Sequence, residues 1–173
     1  MRTLFCLVML VMMGVELASA QFRAPRARDR DSGFDRRGPV EFGVRGGYDF
    51  DAEVGAAGAQ LRIPLIRQLL LVPSGDVFFA DEGEGADWQL NADLVVRPDE
   101  LGGLYGGIGA AFMKLDFDGD GEEETEAGYN LLAGMQSGPL LQSRLRPFAE
   151  ARWTFVDDVE PFRLMVGINA PVQ

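Results

Sequence analysis

Apolar and polar residues alternate along most of this chain with a period of two, in segments of about ten residues that clusters of Gly, Asp and Pro separate. Alternation of this kind is typical of antiparallel β-strands that present one apolar and one polar face. No stretch after residue 20 keeps a helical periodicity over three turns. The pattern therefore predicts eight strands, at residues 40–50, 54–65, 70–79, 87–97, 103–113, 126–135, 145–155 and 161–169.

The polar face of these strands carries acidic and basic residues in equal number. They are Glu41, Asp49, Asp76, Asp93 and Glu150 together with Arg45, Arg62, Arg97, Arg152 and Arg163. Five acids and five arginines can neutralise one another inside a narrow lumen, where an unpaired charge is costly. A barrel of eight strands has about the width that side chains can fill. The pattern thus predicts an all-β fold, an eight-stranded antiparallel up-and-down transmembrane β-barrel whose lumen holds this charge network.

The apolar face gathers its aromatic residues at one end of the predicted barrel. They are Tyr48, Phe50, Phe79, Trp88, Phe112, Tyr129, Trp153, Phe155 and Phe162. Rings at one level around a barrel are typical of the boundary between lipid and water, so we expect a membrane girdle. The connections at that end hold 16 acidic residues and one base, Lys114. An even number of strands places both termini at the opposite end, expected to be periplasmic, so the acidic connections are expected to be extracellular loops.

The first 20 residues have the pattern of a secretory signal peptide. A basic residue precedes an apolar run, Leu4–Val15, and Ala18-Ser19-Ala20 supplies the small residues of a cleavage site. A helical membrane anchor is the alternative, but the run is shorter than the roughly 20 residues that such a helix needs. These patterns predict a signal peptide at 1–20, a basic disordered leader at 21–39 with six arginines against three aspartates, and a barrel domain at 40–173. Export with this pattern predicts the cell outer membrane as the location.

Composition excludes several classes of function. The formal net charge is −11, and from Val40 onward nine basic residues face 23 acidic ones, so we expect no nucleic-acid partner. The chain has no histidine, and its one cysteine, Cys6, lies in the signal peptide. Serine–histidine and cysteine–histidine catalysis are therefore excluded. Lumen carboxylates are better explained as partners of arginines than as catalysts, so we expect no catalytic residues and no enzyme.

The segment from Val40 to Asn169 resembles the small outer-membrane β-barrel proteins of Gram-negative bacteria, often described as porin-like. The resemblance is carried by Val40-Glu41-Phe42-Gly43-Val44-Arg45-Gly46-Gly47-Tyr48, Trp88-Gln89-Leu90-Asn91-Ala92-Asp93, Leu104-Tyr105-Gly106-Gly107-Ile108-Gly109 and Arg146-Pro147-Phe148-Ala149-Glu150-Ala151-Arg152. It implies a monomer whose partners are outer-membrane lipid, lipopolysaccharide and the barrel-assembly machinery. Members of such families range from structural and adhesion proteins to narrow channels and a few lipid-modifying enzymes, so the fold leaves the function open.

The end of the chain departs from the family pattern. Such barrels usually end in an aromatic residue that the assembly machinery reads, whereas this chain ends Asn169-Ala170-Pro171-Val172-Gln173. Pro171 is expected to break the last strand. The departure predicts either a degenerate assembly signal or insertion with weaker recognition by the assembly machinery.

One local motif suggests a metal. Asp116, Asp118 and Asp120 alternate before Gly121, as at the start of a calcium-binding EF-hand loop. The twelfth position is Ala127, where a bidentate glutamate is needed, and helices do not flank the loop. We expect a solvated acidic hairpin with, at most, weak calcium binding at an outer loop, and no other cofactor.

Three functions remain open at this point. The first is a structural or surface-interaction barrel with a plugged polar lumen and acidic extracellular loops. The second is a narrow or gated porin-like channel. The third is a soluble periplasmic barrel that binds a small apolar ligand, as lipocalins do. The third reverses the two faces and predicts that Arg45, Arg62, Asp93 and Arg152 lie in solvent.

Overall fold

The computed structural model describes residues 38–79, 86–115, 124–140, 143–156 and 160–172. They form eight strands: β1 (Glu41–Asp49), β2 (Val54–Pro64), β3 (Leu69–Phe78), β4 (Ala86–Val96), β5 (Leu104–Leu115), β6 (Glu124–Gln136), β7 (Arg146–Phe155) and β8 (Phe162–Pro171). Each predicted strand is present, with both bounds within two residues of the prediction. The predicted signal peptide, all of the leader before Gly38, and the candidate calcium residues Asp116, Asp118 and Asp120 lie outside the described residues.

The strands close into a barrel. Each strand pairs antiparallel with its neighbours in sequence, and β1 also pairs antiparallel with β8. The closing ladder runs from Glu41 opposite Pro171 to Asp49 opposite Arg163. Closure leaves no sheet edge, so the backbone groups of every strand find partners within the barrel. The predicted eight-stranded antiparallel up-and-down fold is confirmed.

The β4–β5 connection contains the one helical turn among the described residues. We call the end at which β1 begins and β8 ends the terminal end, and the opposite end the loop end. The β4–β5 connection at the terminal end contains a three-residue 3-10 helix, Asp99–Leu101. It turns through Gly102 and Gly103, whose φ angles of 63° and 104° lie where side chains are strained. Among the described residues, no helix is long and apolar enough to cross a membrane.

Pro171 does not break the last strand, and that prediction is wrong. β8 includes Pro171, and the amide of Val172 still donates to the carbonyl of Val40 in front of β1. Since successive amides of a strand point to opposite sides, the missing N–H of Pro171 faces β7, whose ladder with β8 already ends at Asn169 opposite Arg146. A proline is tolerated there because no partner strand needs its amide.

The interior is layered along the barrel axis. One buried apolar cluster lies toward the loop end and contains Ala56, Phe78, Met113, Val156 and Met165. A second lies toward the terminal end and contains Leu70, Val72, Val95, Tyr105 and Leu132. Buried polar and charged side chains occupy much of the remaining interior. The fold therefore encloses an apolar cluster toward each end and charged or polar side chains in the rest of the interior.

Candidate functional site: the charged lumen

The period of two places the predicted charges inside the barrel. Nine of the ten predicted network residues are at most 5% exposed, and the tenth, Arg97, is half-buried. Arg45, Arg62, Asp93 and Arg152 are 4%, 2%, 0% and 1% exposed. These four side chains point into the barrel. The lipocalin-like alternative requires them to lie in solvent, so the structure contradicts it.

Arg45 is the centre of the charged layer. Its Nε donates to Oδ1 of Asp76 at 2.8 Å and its Nη2 to Oδ2 at 2.6 Å, so both carboxylate oxygens are bound. The same guanidinium donates to Oγ of Ser74 at 2.8 Å and to Oε1 of Gln60 at 3.2 Å, and its Nη1 lies 3.6 Å from Oε1 of Glu150. Arg45 on β1 therefore joins side chains from β2, β3 and β7.

Arg152 forms a second pair of ion contacts beside the first. Its Nη2 lies 2.7 Å from Oδ2 of Asp93 and 3.0 Å from Oε1 of Glu150. Asp93 also accepts a hydrogen bond from Nδ2 of Asn130 at 3.0 Å, and Glu150 accepts one from the hydroxyl of Tyr105 at 3.0 Å. Asp93 is thus satisfied by groups from β6 and β7, and Glu150 by Tyr105 of β5 and by Arg152 of its own strand, as buried charges require.

A third pair lies nearer the loop end. Nε of Arg163 donates to Oδ2 of Asp49 at 2.6 Å, and the guanidinium also donates to the side-chain carbonyl of Gln89. The Arg163 guanidinium lies 4.5 Å from the ring centre of Phe78, close enough for a cation–π contact. Phe78 belongs to the apolar cluster at this end, so the charged and apolar layers are in direct contact.

The terminal end of the lumen has fewer acidic than basic side chains. Glu41 accepts from Nη1 of Arg146 at 2.6 Å and from Nε2 of Gln136 at 3.1 Å. Arg97 donates to Oε1 of Gln136 at 2.8 Å. Arg97, a predicted member of the charge network, therefore has an amide as its hydrogen-bond partner among the described residues, and Gln136 links it to Glu41. It follows the last residue of β4 and lies where the lumen opens, so a neutral partner suffices.

Sequence reasoning missed Arg146 as a member of this network. Arg146 lies on the same face of β7 as Glu150 and Arg152. Following the alternation from Glu150 four residues back, to the start of β7, reaches it. Uncharged polar side chains were also left out of the predicted network. Those that are buried are Gln60, Ser74, Gln89, Asn91, Asn130, Gln136, Thr154 and Asn169.

Arg62 lies apart from the ion pairs although it is 2% exposed. Its guanidinium carbon is 4.8 Å from the ring centre of Tyr105, a cation–π contact. Its Nε and Nη2 are buried, and no hydrogen-bond partner for either is found among the described residues. Arg62 is thus a buried cation for which the described carboxylates provide no ion pair.

Inward glycines provide space for the buried carboxylates. A Cβ at Gly58 would lie 2.1 Å from Oδ1 of Asp76, and a Cβ at Gly109 would lie 2.1 Å from Oδ1 of Asp93. Both distances are shorter than a methyl group can tolerate. Glycine at these two positions lets the aspartates lie flat against the neighbouring strand.

The outer face of the barrel is apolar. Ile108, Leu90, Val166 and Val77 are 62%, 54%, 54% and 51% exposed. In a protein surrounded by water, contiguous apolar surface on this scale is rare and marks a contact with something apolar.

The predicted girdle residues that the structure describes lie on the outer face or just beyond strand ends, toward the loop end. Phe79, Tyr129, Phe112 and Trp153 are exposed, and Tyr48, Phe50, Trp88, Phe155 and Phe162 are partly exposed. Ring contacts link Tyr48 to Phe50, Phe50 to Phe162 and Phe162 to Trp153, with ring centres 5.2, 5.6 and 4.6 Å apart, and Tyr129 stacks on Phe155 at 4.8 Å. The aromatic residues therefore form a partly connected band.

The described residues bring together no group of three or more Asp, Glu, Cys or His side chains that could hold a metal ion. The weak calcium binding expected of the β5–β6 connection concerns residues outside the described ranges and stays a prediction.

Closed up-and-down barrels with a charged interior and an apolar exterior are the class to which solved outer-membrane β-barrels belong, and this chain has their fold. Over 75% of its length it is similar to 94% of the N-terminal β-barrel domain of Pseudomonas aeruginosa OprF, with 18% identity and a TM-score of 0.60. Over 77% of its length it is similar to 94% of Neisserial surface protein A (NspA), with 13% identity and a TM-score of 0.52. No protein-family model and no curated protein sequence matches the chain. The resemblance predicted from the sequence is confirmed at the level of the fold.

Proposed function

We propose that this chain is a non-enzymatic outer-membrane β-barrel protein with a plugged polar lumen, acidic extracellular loops and a structural or surface-interaction role. The observation that carries the proposal is the distribution of polarity. Charges such as Arg152 and Asp93 are buried in ion pairs, while Ile108 and Leu90 are more than half exposed. Only a lipid environment makes this arrangement favourable, because each exposed apolar group would cost free energy in water.

The closed backbone supports the same conclusion. In the hydrocarbon region of a membrane no water is available to pair with free N–H and C=O groups, so strands can span it only as a closed barrel. The β1–β8 ladder provides that closure. The aromatic band at the loop end is what an interfacial girdle requires, because Trp and Tyr rings favour the level of the lipid headgroups.

The packing of the lumen favours a plug over an open channel. An eight-stranded barrel has an interior that side chains fill. Two apolar clusters lie along the axis with ion-paired arginines between them. General diffusion of solutes would require these pairs to separate, and the separated charges would each be costly to leave in the narrow interior.

The absence of histidine and the engagement of the lumen carboxylates support a role without catalysis. Asp76, Asp93 and Glu150 each contact an arginine, as structural ion pairs do. An adhesive or structural role is also consistent with acidic loops that face the exterior. Divalent cations would then be needed between these loops and anionic lipopolysaccharide, because like charges repel.

The test is the behaviour of the protein in isolated envelopes. Closed membrane barrels commonly stay folded in cold SDS and change gel mobility only when heated. We expect the protein in the outer-membrane fraction with a heat-dependent shift. Recovery in the soluble periplasmic fraction, with no shift, would contradict the proposal. A liposome conductance measurement on the same preparation then separates the plug from a channel, since a plugged barrel should give no steady current.

A further inference from the structure

The terminal end of the lumen holds more positive than negative charge. Arg62, Arg97 and Arg146 are matched there by one buried acid, Glu41. Glu41 and Arg62 are direct partners across the β1–β2 ladder, and Gln136 hydrogen-bonds to both Glu41 and Arg97, so the group is contiguous. Three arginines against one glutamate leave a formal charge of +2.

The pKa of Arg97 also reflects the excess of positive charge at this end. Arg97 follows the end of β4, and burial lowers its pKa from the usual value for arginine. The positive charges of Arg62 and Arg146 lower the pKa as well, while Glu41 and Asp99 act in the opposite direction. The guanidinium group of Arg97 is therefore repelled by those of Arg62 and Arg146. An added negative charge among the three groups would be favourable.

The two unpaired donors of Arg62 indicate which kind of anion would bind there. Arg45 uses its Nε and Nη2 to bind both oxygens of Asp76 side by side. In Arg62 the same two atoms are buried without a hydrogen-bond partner among the described residues. This edge of a guanidinium fits two oxygens of a carboxylate or a phosphate.

We propose that the terminal end of the lumen binds a phosphate-type oxyanion between Arg62, Arg97 and Arg146. The anion enters beside Arg146, whose side chain is 33% exposed, and beside the half-buried Arg97. Two of its oxygens accept hydrogen bonds from Nε and Nη2 of Arg62, the two donors without a partner among the described residues. Tyr105 supports the Arg62 guanidinium from the lumen side, and Glu41 keeps Arg146 at the opening.

The experiment measures binding of inorganic phosphate to the refolded barrel in a neutral detergent, by calorimetry at constant ionic strength with chloride as the reference anion. Arg62→Gln removes the edge and its charge and should weaken binding about tenfold or more, the usual effect of losing hydrogen bonds to a charged group. Arg67→Gln is the matched control. Arg67 lies at the same end, but its side chain is 79% exposed and pairs with Asp99, so its loss should change binding less than twofold.

A second arm distinguishes the source of the phosphate group. The same titration is made with phosphatidylglycerol added to the micelles, against phosphatidylcholine as the zwitterionic reference. Saturable binding of inorganic phosphate supports a free anion, and saturable binding of phosphatidylglycerol alone supports a lipid headgroup. Absence of saturable binding for both probes would overturn the proposal, as would equal binding by the Arg62→Gln and Arg67→Gln variants.

The proposal stays testable if the Arg62 variant does not refold. Arg97→Gln and Arg146→Gln each remove one cation from the opening and should each weaken binding, with Arg67→Gln again as control. Retained gel mobility in cold SDS identifies which variants are folded. Because these measurements use the refolded barrel, they do not depend on where the protein is located in the cell.

Discussion

Replacing Asp76 with asparagine tests whether the lumen is packed or hydrated. The substitution keeps the shape of the side chain and removes the charge that two donors of Arg45 bind at 2.8 and 2.6 Å. Arg45 would retain its hydrogen bonds to Ser74 and Gln60, with Glu150 at 3.6 Å as its remaining anion. The guanidinium is buried, so it cannot gain water to replace the lost partner unless the lumen admits it.

The expected loss of stability is larger in a packed lumen than in a hydrated one. Removing one partner of a buried ion pair costs about 3–5 kcal/mol. In a hydrated lumen two charges about 4 Å apart attract each other by only about 1 kcal/mol. Because Arg45 keeps several other contacts, we expect Asp76→Asn to lower the free energy of unfolding by about 3 kcal/mol, at the lower end of the packed range.

Denaturant unfolding in lipid vesicles, followed by the fluorescence of Trp88 and Trp153, gives that free energy. Asp99→Asn is the matched control, because the Arg67–Asp99 pair has a similar N–O distance of 2.8 Å but side chains that are 79% and 47% exposed. The control should change stability by less than about 1 kcal/mol. Equal effects of the two substitutions would refute a packed lumen and favour the channel alternative.

Two further predictions come from this geometry, and a third comes from the acidic residues after β5 in the sequence. Ile108→Arg, on the outer face, should lower the free energy of unfolding in lipid by about 2–4 kcal/mol, whereas Leu101→Arg in the β4–β5 turn should have little effect; equal losses would argue against a lipid-facing Ile108. Gly58→Ala should cost about 1–3 kcal/mol by forcing a methyl group to within 2.1 Å of a lumen carboxylate oxygen, while Gly46→Ala, whose nearest contact would be 3.6 Å away, should be tolerated when both are unfolded under the same conditions. Calcium titration should show at most millimolar binding, and Asp118→Asn should weaken it if the acidic loop is the site.

The strands and the facing of their residues were predictable because both depend on local alternation. A period of two fixes which side chains enter the barrel once one of them is known, and this placed Arg45 and Asp93 in the lumen. The ion pairs were not predictable. Arg152 meets Asp93 across 59 positions of sequence, and such a contact depends on strand stagger and rotamers, which the alternation does not encode.

The different contacts of the lumen arginines also could not be predicted from the alternation of polar and apolar residues. Arg45, Arg62 and Arg97 all satisfied the same parity rule, yet the first binds a carboxylate with two atoms, the second stacks on Tyr105 and the third donates to Gln136. The difference comes from the side chains around each guanidinium, since Glu41 is the ladder partner of Arg62 but accepts its hydrogen bonds from Arg146 and Gln136. The candidate anion site therefore follows from the structure, through the two unpaired donors of Arg62.

The lumen arginines serve as cross-links in a chain that has one cysteine and so cannot form an internal disulfide. Arg45 alone connects β1 to polar groups on β2, β3 and β7, and Arg152 connects β7 to β4. A lysine could not do the same, because its single nitrogen cannot present the flat row of donors that binds two oxygens of one carboxylate while reaching others. The chain has 16 basic residues, and the basic side chains of this network are arginines. The stability of the barrel and the closure of its lumen thus depend on the same side chains, so a substitution that opened a path for solutes would also weaken the barrel.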